Sequence, residues 1–281
     1  MRKKLSKIKH FLITYLVIVP LSLLLKLFGP SIYLKVKDKL RSIKLLDYEN
    51  SNIKLIVDSS IHLQRIQSCK KEPDTVKWIE EYLSSGGVFY DIGANVGAYS
   101  LVAAAQLKDS KNSHVYCFEP LATTFHSLVY NVELNDFNEL ISCFPFAIGD
   151  KTEFKKIYLS SLQSGSAMHS VGVAKDAYGN DFKPVSIQKI LCYNLDEVFS
   201  NFKLKEPTLI KIDVDGIELE IIKNCKNILK KPSLKSILVE VRKDSTDFQE
   251  IIDFLADYNF DLNKTGSVTS KEFENLIFVK P

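Results

Sequence analysis

The run Asp91-Ile92-Gly93-Ala94-Asn95-Val96-Gly97 joins a carboxylate to two glycines, directly after the apolar stretch 88–92 and before a helix-forming one. Gly93 can take backbone angles closed to other residues, and Gly97 lets chain and ligand approach closely. The N–H groups at a helix start suit an anionic or carboxylate-bearing ligand. A dinucleotide cradle would read G-x-G-x-x-G, with a glycine where this chain has Asp91. A carboxylate there repels a diphosphate and attracts an ammonium, which favours a guest with a zwitterionic amino-acid tail over a dinucleotide. Glu119, 28 residues further on, ends the next apolar run. An acid in that place accepts hydrogen bonds from both hydroxyls of a ribose.

A second cluster, Ile212-Asp213-Val214-Asp215-Gly216-Ile217-Glu218, follows another apolar run. Asp213 and Asp215 alternate, and they share a side if the strand continues that far. Glu218 falls in the first turn of the next helix, where the helix dipole favours an acid. Glu240 lies near the end of a further run, SILVEV, and charged residues are rarely buried unpaired. Acids at one edge of two neighbouring strands point to a ligand or a general base. Asp213 is placed to deprotonate a substrate hydroxyl or to bind an ammonium. The competing reading is an ion-pair network with Lys211, Arg242 or Lys243. These oxygens also suit a hard divalent ion, but no histidine accompanies them, and no metal is expected.

The elements that must position these groups alternate along the chain. Strands are expected at 53–58, 88–92, 114–119, 141–148, 208–214 and 236–241, with two more near 260–264 and 275–280. Helices are expected at 74–83, 97–107, 121–135, 218–231 and 246–258. Such alternation predicts a doubly wound, mainly parallel α/β sheet, Rossmann-like, with helices on both faces. Residues 150–207 interrupt the rhythm with polar alternation, a Ser- and Gly-rich loop, and one strand-like run ending in CYNL. In that loop His169 or Ser166 is placed to reach an acceptor. The five cysteines form no CxxC pair, and a scattered odd set suits a reducing compartment.

The chain has 281 residues, 46% hydrophobic and 25% charged, so a folded core is expected and wholesale disorder is not. The net charge of +3 is too small to argue for nucleic acid, and it is unevenly spread. Residues 1–45 carry eleven Lys and Arg against Asp38 alone. Residues 11–25 are fifteen uncharged residues, just short of the usual membrane span. Basic residues flank both ends and Pro20 interrupts the middle, which favours a shallow re-entrant or interfacial segment over a simple crossing. A helix buried against the soluble domain and an uncleaved signal remain the alternatives. The expected organisation is a membrane-associating segment, 1–45, and a catalytic domain, 46–281, with an insertion at 150–207.

The stretches VFYDIGANVGAYS, HVYCFEP, FAIGD and LIKIDVDGIELEIIKN followed by ILVEV resemble the FkbM family of methyltransferases. The resemblance covers about residues 86–242 and implies a class I methyltransferase fold that uses S-adenosylmethionine. It implies that Asp91, Gly93, Asn95, Gly97 and Glu119 hold the cosubstrate, with Ala147 and Ile148 near the adenine. Asp213 would serve binding or catalysis, with Glu240 as a second catalytic acid. The family usually has Glu where this chain has Asp215, and many members have a histidine near the place of Arg242.

The resemblance implies O-methylation of a hydroxyl on a sugar, glycolipid or other natural product, and the basic N-terminal segment leads us to expect it from a domain on the cytoplasmic face of a membrane. A non-catalytic or nucleic-acid-directed protein of the same fold is the alternative. No nucleic-acid partner is expected, since the N-terminal lysines are its only support.

Overall fold

The computed structural model describes residues 13–27, 29–39, 41–167, 169–175, 180–265 and 273–281. The chain divides into two compact units, Met1–Ser42 and Ile43–Pro281. The basic run at 2–9 and the start of the apolar stretch lie outside the described residues. In the first unit a π-helical turn, Thr14–Ile18, leads into α1 (Val19–Leu27), and α2 follows (Gly29–Lys39). Pro20 follows the π-helical turn inside one continuous helical run, and with no N–H it donates no helical hydrogen bond there. Gly29, at φ +77°, precedes Pro30 in α2. Among the described residues no helix is long and apolar enough to cross a membrane.

From the boundary at Ser42 onward the chain forms a two-stranded sheet of β1 (Ser42–Leu45) and β2 (Lys54–Val57), then α3 (His62–Arg65), α4 (Ser68–Lys71) and α5 (Pro73–Leu83). The alternating core follows: β3 (Val88–Ile92), α6 (Ala98–Leu107), β4 (His114–Phe118), α7 (Ala122–Leu134) and β5 (Ile141–Phe144). Next come β6 (Ala147–Gly149), β7 (Glu153–Leu159), β8 (Ser170–Val171), β9 (Ser186–Asn194) and α8 (Leu195–Asn201). The chain closes with β10 (Leu209–Ile212), α9 (Glu218–Lys223), α10 (Lys226–Leu229), β11 (Ser236–Arg242), α11 (Asp247–Ala256), β12 (Asp261–Thr265) and β13 (Phe273–Val279).

The main sheet has seven strands in the order β12-β13-β11-β10-β3-β4-β5. β11, β10, β3, β4 and β5 run parallel, while β13 is antiparallel to both β11 and β12. The order reverses between β3 and β10, which places the ligand crevice of such sheets at their carboxyl ends. Side chains alternate between two apolar layers. Phe89, Val115, Cys117, Leu209 and Leu238 pack with α5, α6 and α7. Tyr90, Ile92, Phe118, Ile212 and Val239 pack with helices from the other half of the chain, α8 to α11. Both faces are covered, as the near-continuous apolar strands require.

Three expected elements differ. The run 141–148 is two strands in two sheets, because Pro145 has no N–H to continue a ladder. The helix expected over 218–231 is broken at Asn224 and Cys225 into α9 and α10. The strand before Asp213 stops at Ile212, so the alternation expected of Asp213 and Asp215 does not hold. The insertion forms a second sheet, in the order β6-β9-β7-β8, whose main ladder is the antiparallel pair β7 and β9.

Candidate active site

The glycine loop is built by three left-handed residues in five. Gly93 (φ +83°), Asn95 (φ +51°) and Gly97 (φ +86°) turn the chain from β3 into α6. Asparagine tolerates this conformation because its short amide bonds locally. Here Asn95 Oδ1 accepts from the N–H of Val96 at 2.9 Å, while Nδ2 donates to the backbone oxygen of Ser166 at 3.2 Å. The N–H groups of Gly93 and Ala94 both donate to Phe118 O, which fastens the loop to the end of β4. From α7, buried Asn131 donates to Val96 O and accepts from the N–H of Ile56.

Glu119 stands at the end of β4 with its carboxylate facing this loop. It accepts the N–H of Leu121 at 2.9 Å and that of Asn95 at 3.1 Å. Two backbone bonds leave acceptor capacity on both oxygens, enough for the two hydroxyls of a ribose. Burial pushes its pKa up to about 7 against the pull of those two N–H groups.

Asp91 takes a different place from the one its motif suggests. Strand alternation puts it on the face of Phe89, directly in register with Lys211 of β10. It is 1% exposed and lies beneath the loop rather than on the cavity wall. Ser100 donates to its Oδ2 at 2.5 Å, and the Lys211 ammonium stands 3.9 Å from Oδ1. Oδ1 has no hydrogen-bond partner among the described residues. Lys211 is itself buried, 5.2 Å from the centre of the Tyr99 ring, and pairs with Asp213 at 2.6 Å. Of the network considered from sequence, the Lys211 arm is therefore formed. Arg242 pairs with Asp244 at 2.7 Å.

Asp213 is the member of this network that reaches the cavity, with its side chain about one-third exposed. Burial would raise its pKa, but the adjacent ammonium of Lys211 holds it below the usual carboxylate range. Glu240 hydrogen-bonds Asp213 and does not line the cavity. Among the described residues no group of three or more His, Cys, Asp or Glu could hold a metal ion.

The insertion supplies the opposite wall. His169 is buried, its Nδ1 3.3 Å from both the N–H and the hydroxyl of Ser160, and its Nε2 3.2 Å from Ser166 Oγ. Burial holds its pKa below the ordinary value, favouring the neutral ring. The backbone N–H of His169 donates to Asp215 Oδ2 at 2.8 Å, tying the insertion to the turn after β10. Glu218 accepts from the N–H of Gly216 and is raised to about 8, mainly by burial.

One cavity gathers six of the residues expected to hold the cosubstrate or take the proton, Gly93, Asn95, Glu119, Ala147, Ile148 and Asp213, together with Ser166, His169 and Asp215. Asp91, Gly97 and Glu240 support it without lining it. Apolar walls from Phe118, Pro120, Leu121, Ala147, Ile148 and Ile157 form a slot suited to a flat base. Arg65 also lines the cavity and is not singled out by any sequence motif. It reaches the site through contacts to a segment 100 residues away.

Residues 91–262, more than half of the chain, match the Methyltransferase FkbM domain. The chain is 24% identical over 205 residues to the hexuronic acid methyltransferase AglP of Haloferax volcanii, spanning 72% of this chain and 75% of that protein. It is similar to the crystal structure of methyltransferase FkbM from Methylobacillus flagellatus KT, with a TM-score of 0.50 at 14% identity over 79% of this chain. That match spans 56% of the other chain, little more than half its length. With the motif carried on a mainly parallel methyltransferase-like sheet, the chain belongs to the FkbM methyltransferase family.

Proposed function

We propose that this protein is an S-adenosylmethionine-dependent O-methyltransferase acting on a sugar hydroxyl, or on a glycolipid or natural product that bears one. The observation that carries this reading is one cavity in which the glycine loop, the Glu119 carboxylate and the Asp213 carboxylate face one another. The residues fit the cosubstrate. Glu119 keeps acceptor capacity for the ribose, the apolar slot by Ala147 and Ile148 suits adenine, and acids surround the expected place of a cationic tail. Asp91 supports this field from beneath the loop. The relative named for hexuronic acid favours a sugar acceptor.

When bound, the cosubstrate supplies an electrophilic methyl group on a positively charged sulfur. The protein's own contribution is to position the acceptor and to take its proton. Asp213, held ionised by Lys211, accepts a hydrogen bond from the acceptor hydroxyl and orients its oxygen. A carboxylate so stabilised is a weak base, so the proton moves to it late, once the oxygen has largely formed its new bond. His169 and Ser166 shape the acceptor side, and the turn of Asp215 closes it.

Exposed Leu16, Leu21, Leu23, Leu24 and Leu27, together with the eleven basic residues of 1–45, support association with an anionic cytoplasmic membrane face. Each well-placed basic residue would add about 1 kcal/mol. The test is incubation of the full chain with methyl-tritiated S-adenosylmethionine and membrane-derived oligosaccharides. A base-stable labelled methyl ether is the expected product. A base-labile methyl ester would contradict hydroxyl methylation, and no label in any fraction would contradict the enzyme reading.

A further inference from the structure

The cavity is lined by three carboxylates, Glu119, Asp213 and Asp215, and by one guanidinium, that of Arg65. S-adenosylmethionine carries two positive groups, the sulfonium and the ammonium, and one negative group, the α-carboxylate. Three acids suit the first two and repel the third. A carboxylate enclosed among acids is unfavourable unless a cation meets it, and among the described residues Arg65 is the Lys or Arg that lines the cavity.

Its placement is fixed. Arg65 Nε and Nη2 both donate to the backbone oxygen of Gly165, at 3.0 and 2.8 Å. Two of its five N–H groups are thereby used, and among the described residues the others meet no hydrogen-bond partner, which leaves them for a planar carboxylate. Asn95, in the glycine loop, holds the next carbonyl along, that of Ser166. The guanidinium and the glycine loop therefore grip consecutive peptide units of one segment. That segment is itself anchored. Ser164 Oγ meets His62 Nε2 at 3.1 Å and Ser127 Oγ at 2.8 Å, and the N–H of Gly165 donates to Thr124 Oγ1. Gly165 is at φ +82°, and a Cβ there would stand 2.8 Å from the His62 ring. Among the described residues no ion pair occupies Arg65.

We propose that Arg65, held by Gly165 O, anchors the α-carboxylate of the cosubstrate's amino-acid tail beside the cavity wall at Ser166. This assignment rests on the cosubstrate reading above.

The test is calorimetric binding of two ligands to the full chain: S-adenosylhomocysteine, and its decarboxylated analogue, which keeps the ammonium and lacks only the carboxylate. Arg65→Gln is expected to weaken S-adenosylhomocysteine by about tenfold or more while changing the analogue by less than about twofold. Arg65→Lys, which keeps the charge and loses the two-point grip, should fall between. Equal weakening of both ligands by Arg65→Gln would show a purely structural role and overturn the assignment. Unchanged affinity for S-adenosylhomocysteine would overturn it too, leaving Arg65 to an acidic acceptor. Wild-type protein that bound neither ligand would contradict the cosubstrate reading itself, and the Arg65 assignment with it.

Discussion

Gly93 packs directly against the backbone oxygen of Asp213, so closely that a Cβ at position 93 would overlap it. The same two turns are joined by the N–H of Asp213 donating to Ile92 O at 3.0 Å. The loop proposed to cradle the cosubstrate and the acid proposed to take the proton are thus one packed unit across the switch point of the sheet.

Gly93→Ala should therefore be severe. A side chain at φ +83° is strained even in open space, and here the neighbour is backbone, which has little room to yield. The expected loss is more than about 2 kcal/mol of unfolding free energy in urea titration. Stability equal to the wild type would show that the two turns move apart freely.

Glu119 gives the site a pH dependence with a defined sign. Its folded pKa, about 7, lies above the ordinary 4.5, so the folded state holds the proton more tightly. Its contribution to stability therefore falls as pH rises from 4.5 through about 7. Ligand binding runs the other way, because only the ionised carboxylate accepts both ribose hydroxyls. Affinity for S-adenosylhomocysteine should rise about tenfold between about pH 6 and pH 8. Glu119→Gln should flatten that rise, and a slope unchanged in the variant would assign it to another group.

Lys211 is the buried cation on which two acids depend. Replacing it with Met leaves Asp213 and Asp91 without that cation, at a cost of about 3 kcal/mol. Adding Asp213→Asn should recover part of the loss, read as a coupling energy in a double-mutant cycle. Additive effects would mean that the 2.6 Å pair contributes nothing to the fold.

Asp213→Asn alone separates binding from chemistry. The amide keeps the shape and loses the proton acceptor, so kcat should fall by about a hundredfold or more. Affinity for S-adenosylhomocysteine should change far less. A fall in binding equal to the fall in rate would make Asp213 a cosubstrate ligand instead.

Much of this site is legible in the sequence because its constraints are local. Gly93 and Gly97 must be glycine where φ is positive, and Glu119 follows its strand immediately. A period of two over 88–92 puts Asp91 on the face of Phe89, while its register opposite Lys211 comes from the pairing of β3 with β10, which no local pattern carries. The motif pointed to a cavity lining, and the strand period shows a floor. Apolar content alone cannot show that 141–148 serves two sheets, although Pro145 marks the break. Arg65 carries no local signal at all. Its position is set by a carbonyl 100 residues away, brought to it by the anchoring of Ser164 and Gly165.

The most direct measurement is calorimetric titration of the full chain with S-adenosylhomocysteine and, separately, with a nicotinamide dinucleotide. Three carboxylates around the cavity predict that the adenosyl amino acid binds at least about tenfold more tightly than the dinucleotide. They also predict that Glu119→Gln narrows the gap. A dinucleotide that bound as tightly or more tightly would contradict the account at its centre.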